Sequence, residues 1–155
     1  MNPVLAQSEL PHGLPDFASI SDDDFLPAFT EAMATHLAEV EQIAADPGPA
    51  TFANTAEALE LCGRDLARVS GVFFNLVGPD TNPKRNEIAQ HLSTALTDHF
   101  NTIAMNPELF ARISSLHERA DELGLSEPQR RLLDKQYRSS VRSGAGLAPD
   151  GQAQI

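Results

Sequence analysis

An apolar stripe over residues 51–77 constrains the fold of this chain more than any other sequence feature. From Leu59 onward its apolar positions recur at alternating steps of three and four residues, at Leu59, Cys62, Leu66, Val69, Phe73 and Leu76. This spacing places side chains on one face of an α-helix. Val72, Phe74 and Val77 widen the stripe, so such a helix needs neighbours on more than one side. The stripe therefore predicts one continuous central helix in an all-α domain.

Proline, glycine and asparagine divide the rest of the sequence into further helical segments. Terminal signals and apolar spacing predict four more helices, which begin near residues 21, 83, 107 and 126. The residues expected to face inward on these helices include Leu26, Leu37, Phe100 and Val141. Because the connections are short, we expect an antiparallel bundle of about five helices.

The predicted domain organisation has three parts. Residues 1–20 contain three prolines and should form an extended N-terminal arm. Residues 21–147 should form the helical domain, and residues 148–155 resemble the first turn of a further helix. Since a domain seldom stops one turn into a helix, we expect the chain to be a segment of a larger protein.

Charge and composition narrow the choice of partner and compartment. The formal net charge of −11 argues against nucleic acid or an anionic membrane as the main partner. The chain begins without the regions of a signal peptide and has no apolar run long enough to span a membrane, so we expect a cytoplasmic protein. The single cysteine, Cys62, forms no internal disulfide and is expected to be a buried, inert thiol.

The sequence contains no catalytic constellation. It lacks the HExxH pattern of a zinc helix, a phosphate-binding loop and a nucleophile elbow. The acidic run Asp22, Asp23 and Asp24 admits a metal-binding interpretation, but consecutive carboxylates on a helix point in different directions. We therefore favour a role in capping the first helix.

One charged pattern stands out. Five of the eleven Lys and Arg residues lie between positions 130 and 142, and four of them share one helical face: Arg131, Lys135, Arg138 and Arg142. We call these four residues the basic stripe. Three interpretations remain open: a face that docks on acidic helices of the same protein, a wall that meets an anionic ligand or peptide carboxylate, and a contact with a partner domain.

The segment EPQRRLLDKQYRSSVRSGAGL, residues 127–147, resembles a stretch in the N-terminal part of the thimet oligopeptidase-like zinc metallopeptidases. This family includes oligopeptidase A and peptidyl-dipeptidases. Further stretches agree in the same order along the chain: NPVL at residues 2–5, FLPAF at 25–29, TFANT at 51–55, VSGVFFNL at 69–76 and NPELF at 106–110.

The resemblance implies an almost wholly helical enzyme that hydrolyses short peptides in a deep channel with a bound zinc ion. The family's zinc ligands and water-activating Glu lie downstream of the matching region, so no catalytic, cofactor or metal residue is transferred to this chain. We therefore expect an inactive N-terminal helical part that forms scaffold and channel wall, with the remaining catalytic part of the same polypeptide as its partner. The alternative is a free-standing helical interaction module.

Overall fold

A computed structural model describes residues 1–147, which contain six α-helices and no β-strand. In chain order these are α1 (Phe25–Ala44), α2 (Ala58–Leu61), α3 (Arg64–Val77), α4 (Pro83–Ala104), α5 (Pro107–Glu118) and α6 (Glu127–Arg142). Only α2 is shorter than twelve residues, so the predicted all-α class with about five helices is confirmed. No helix in this part of the chain combines the length and the apolar content that crossing a membrane requires. The further helix predicted at residues 148–155 lies outside the described residues.

The chain forms two compact units, each with its own hydrophobic core. The first unit comprises Met1–Ala38 and Gly63–Thr97, and the second comprises Glu39–Cys62 and, among the described residues, 98–147. The first core includes Val4, Phe25, Phe29, Val69, Phe73 and Leu92. The second includes Val40, Ala56, Leu109, Ile113, Leu116 and Leu133. The domain boundaries at residues 20 and 147 stay predictions.

The segment predicted as one central helix is broken at Cys62 and Gly63. Phe52–Glu57 is π-helical, α2 adds one turn, and α3 begins only at Arg64. Gly63 has φ 70° and ψ 21°, in the left-handed region that favours glycine. The prediction of a continuous helix is therefore wrong. The apolar spacing continues across Cys62 and Gly63, but the helical backbone is interrupted there. Leu59 and Cys62 pack on the second core, whereas the stripe from Leu66 onward belongs to the first.

Four residues predicted to face inward are exposed: Leu26, Leu37, Phe100 and Val141. On α1 the exposed Leu26 lies beside Phe25, Ala28 and Phe29, which are almost fully buried. Three-four spacing fits more than one face when apolar residues are adjacent, so packing decides which face is covered.

Arg112 on α5 fixes the loop that precedes the π-helical turn. Its guanidinium donates to the backbone oxygens of Asp46 (2.7 Å) and Gly48 (3.0 Å). It also donates to a carboxylate oxygen of Asp46 (3.3 Å) and to the side-chain oxygen of Asn54 (3.2 Å). Asn54 and Thr51 in turn cap the turn reciprocally. One half-buried cation therefore satisfies a loop whose carbonyl groups have no regular secondary structure to pair with.

Gly63→Ala should destabilise the chain, whereas Gly71→Ala should stabilise it. At position 63 a Cβ atom would lie 2.9 Å from the ring of His36, on a left-handed backbone, so we expect a loss of about 2 kcal/mol or more. At position 71, within α3, a Cβ atom meets nothing within 4 Å, so we expect a gain of about 1 kcal/mol. Urea unfolding of both variants measures the difference. Equal effects at the two positions would contradict the assignment of the break to Gly63.

Candidate functional site

The basic stripe lies on an exposed face of α6. The helix begins at a capping box, in which the side chain of Ser126 pairs with the backbone of Gln129 and the side chain of Gln129 pairs with the backbone of Ser126. Pro128 lies in the first turn. All four members of the stripe are exposed, and they border one shallow depression together with Asp134 and Ser139. The sequence spacing therefore located a shared face, while the function of that face stays a prediction.

Within residues 1–147, two members of the basic stripe form ion pairs only with acids on their own helix. Arg131 contacts Glu127 at 2.8 Å, and Arg138 contacts Asp134 at 3.0 Å. Exposed pairs of this kind contribute little stability and give way readily to another partner. Within residues 1–147, Lys135 and Arg142 form no ion pair. The stripe thus keeps a positive charge on a protein whose formal net charge is −11.

An aromatic stack anchors the opposite side of α6, and sequence reasoning did not find it. The ring of Tyr137 stacks on that of His117 at 3.9 Å and lies 6.1 Å from that of Phe110. His117 also approaches a carboxylate oxygen of Asp134 at 3.4 Å through Nε2. With Leu133 buried beside them, these contacts hold α6 on α5. The stripe is consequently presented on a supported helix.

Gln136 joins α6 to the π-helical turn. Its side-chain nitrogen donates to the backbone oxygen of Ala56 at 3.0 Å, where the widened helical turn leaves a carbonyl available. Its side-chain oxygen is buried and has no partner within the described residues. The segment that resembles the peptidase family therefore contributes side chains to the second unit's interior as well as to its surface.

The acidic run at the start of α1 forms structural contacts. Asp24 accepts hydrogen bonds from Ser21 and completes a capping box, as predicted. Asp22 accepts bonds from Asn82 (2.7 Å) and from Arg85 (2.7 Å), while Asp23 pairs with Lys84. The Asn82 amide, together with Arg85, holds the pKa of Asp22 below its ordinary value. The long-range partners of Asp22 and Asp23 were not visible in the sequence.

The described residues do not fit a zinc site. No group of three or more His, Cys, Asp or Glu side chains within residues 1–147 is arranged to hold a metal ion. Cys62 is half-buried and donates through Sγ to the backbone oxygen of Leu59 at 3.0 Å. Burial raises the pKa of this thiol, which favours the protonated form over a thiolate.

Comparisons with known proteins agree with the resemblance in the sequence. Dipeptidyl carboxypeptidase of Escherichia coli is 37% identical over 155 residues, and that of Salmonella typhimurium is 36% identical over 154 residues. The chain is a homologue of these peptidases. Oligopeptidase A of Salmonella typhimurium is 24% identical over 151 residues. No family model matches the chain.

The matches cover the chain and the relatives very unequally. The alignment to the Escherichia coli dipeptidyl carboxypeptidase covers 100% of this chain but 23% of the relative. The alignment to the Salmonella typhimurium oligopeptidase A covers 97% of this chain but 22% of the relative. The chain thus corresponds to a segment of these peptidases, consistent with the predicted N-terminal position.

Asp22→Asn should make the free energy of unfolding less dependent on pH in acid. Since the folded-state pKa of Asp22 is lowered, its carboxylate contributes stability above the unfolded pKa of about 4, and this contribution is lost as pH falls through the folded pKa. The free energy of unfolding of the unaltered chain should therefore fall more between about pH 5 and pH 2 than that of the variant. Asp23→Asn, at a far more exposed carboxylate, should follow the unaltered chain. Parallel profiles for all three proteins would refute the role of Asp22.

Proposed function

We propose that this chain is the non-catalytic, N-terminal helical part of a zinc-dependent oligopeptidase that hydrolyses short peptides. The observation that supports the proposal is identity of 37% along the whole chain with a peptidase of which the chain spans only 23%. An alignment that runs the whole length of the chain, rather than over one short motif, supports a shared fold. In this proposal the chain supplies scaffold and part of the channel wall, and the parent enzyme works in the cytoplasm.

The reacting groups would come from the remaining part of the same polypeptide. Zinc in such an enzyme polarises the peptide carbonyl and lowers the pKa of a bound water. The sequence of this chain has no HExxH pattern, and residues 1–147 hold no suitable ligand group. The contribution of these residues is therefore to position helices and to restrict which substrates reach the channel. Short peptides are the proposed substrates of the parent.

We assign the basic stripe to contact with that remaining part. Lys135 and Arg142 have no ion pair within the described residues, and the exposed pairs of Arg131 and Arg138 are weak. The exposed Val141 flanks the stripe, three residues after Arg138 on α6. A positive face with an apolar neighbour suits an acidic helical surface. Contact with the carboxylate of a bound peptide is the alternative for the same residues.

A free-standing helical interaction module is the second candidate function, and the exposed basic stripe is the observation that favours it. The two candidate functions predict different coding sequences after Ile155. Continuation of the coding sequence after Ile155 for several hundred codons, with an HExxH pattern, would support the peptidase. A stop codon directly after Ile155 would support the module and overturn the first proposal.

Charge reversal at Lys135 and Arg142 tests the role of the stripe. The double variant Lys135→Glu, Arg142→Glu should lower the unfolding free energy of the isolated chain by only about 1 kcal/mol, because neither side chain has an ion pair to lose within residues 1–147 and Arg142 loses only its interaction with the C-terminal end of α6. We also consider a chimera in which this chain replaces the matching segment of the Escherichia coli dipeptidyl carboxypeptidase. In the chimera the double variant should lower the unfolding free energy by about 2 kcal/mol or more and should lower kcat/KM for a short peptide.

Arg64→Glu provides the matched control for this experiment. Arg64 is exposed at the start of α3, outside the stripe, and forms no ion pair within residues 1–147. It should leave both the isolated chain and the chimera unchanged. A chimera that tolerates the double variant as well as it tolerates Arg64→Glu would show that the stripe is a solvated face.

A further inference from the structure

The N-terminal arm and α3 border an open hollow that the proposed function does not use. Its volume is about 330 Å³, and all its lining residues belong to the first unit. The arm contributes Gln7, Ser8, Glu9, Asp16 and Ser19, and α3 contributes Arg68. The hollow therefore brings one cation and two carboxylates into a small space that Pro3, Ala6 and Leu10 also line.

Arg68 is the unexplained residue of this hollow. The side chain is half-buried, and its Nε atom is buried with no acceptor within the described residues. A buried N–H group without an acceptor is unfavourable, and nearly all such groups in folded proteins are paired. Arg68 also forms no ion pair within residues 1–147. Its other guanidinium nitrogens also form no hydrogen bond within residues 1–147, and it is these donors, rather than the buried Nε, that a ligand in the hollow could reach.

The two carboxylates of the hollow, Glu9 and Asp16, also form no ion pair within residues 1–147. Asp16 accepts one hydrogen bond through Oδ1, from the backbone nitrogen of Ala18 at 3.2 Å, and Glu9 forms no ion pair within the described residues. Neither carboxylate pairs with Arg68, although all three line one space. A simple anion would meet Arg68 but would be repelled by Glu9 and Asp16, so the charges suit a ligand that carries both signs.

Short-range bonds hold the arm in this shape. Ser8 donates through Oγ to the backbone oxygen of Leu14 and accepts from the backbone nitrogen of Leu10 at 3.1 Å. Ser19 donates to the backbone oxygen of Asp16 at 2.9 Å. Val4, fully buried in the first core, fixes the beginning of the arm. Since the wall is held by its own bonds, a ligand would enter a largely formed site.

We propose that this hollow binds a small zwitterionic peptide of dipeptide size. The guanidinium of Arg68 receives the peptide carboxylate, for which its planar donors are suited, and Asp16 with Glu9 receives the ammonium group. A volume of about 330 Å³ is large enough for a dipeptide. The inference rests on the residues of the first unit and does not depend on the proposed peptidase function.

Titration of three peptides into the isotope-labelled 155-residue chain tests this proposal. The probes are Ala-Ala, its N-acetylated form and its C-terminal amide, followed by the backbone NMR signals. We expect saturable shifts at Ser8, Asp16, Ser19 and Arg68 with Ala-Ala, and affinity about tenfold lower for each capped form, because each lacks one charged hydrogen-bonding end. No saturable shift with Ala-Ala, or tighter binding of inorganic phosphate, would overturn the proposal.

Two substitutions test recognition of the peptide's carboxylate and of its ammonium group separately. Arg68→Gln should weaken Ala-Ala and N-acetyl-Ala-Ala about tenfold and leave the amide unchanged. Asp16→Asn keeps an oxygen for Ala18 and should weaken Ala-Ala and the amide but not the acetylated peptide. Arg64→Gln, on the same helix but outside the hollow, should alter nothing.

Urea unfolding without peptide shows whether each variant is folded. We expect Arg68→Gln to unfold at the same urea concentration as the unaltered chain or a higher one, because Arg68 has no partner within residues 1–147 to lose. Equal peptide binding by Arg68→Gln and the unaltered chain would contradict the site.

Discussion

The left-handed backbone at Gly63 is the constraint on which the arrangement of this chain depends. It ends one run of helical residues and starts another, so that a single apolar pattern serves two cores. Leu59 and Cys62 before the break contribute to the second core, and Leu66 after it contributes to the first. The ring of His36 occupies the place where a side chain at position 63 would project. Glycine is thus required by conformation and by space together.

The second unit shows how a short segment can be both structural support and exposed surface. Leu133 and Tyr137 hold α6 against its neighbours, and Gln136 reaches the π-helical turn. The same helix presents the basic stripe on its other side. Arg112 fixes the loop leading into that turn through four hydrogen bonds. Hydrogen bonds from buried polar groups of this kind favour one arrangement of a core over its alternatives.

Local signals in the sequence predicted the local structure well. The capping residue Ser126, Pro128 and the spacing of Arg131 to Arg142 were sufficient to place α6 and its exposed face. The break at Gly63 was missed because a glycine within an apolar helical pattern is usually tolerated, and its left-handed conformation depends on the packing around it. The partners of Arg112 and Asp22 lie more than fifty positions away along the chain, so only the folded structure pairs them. The Arg68 hollow was missed for the same reason.

The central proposal, which rests on homology to peptidases and on a sequence without HExxH, is that this chain supports catalysis performed elsewhere in a parent enzyme. The most direct test measures hydrolysis of a short peptide by the purified chain, with and without a metal chelator, alongside its zinc content. The Escherichia coli dipeptidyl carboxypeptidase serves as the positive control. The account predicts no chelator-sensitive hydrolysis and no stoichiometric zinc. Chelator-sensitive hydrolysis by the 155-residue chain, with one bound zinc ion per chain, would contradict it.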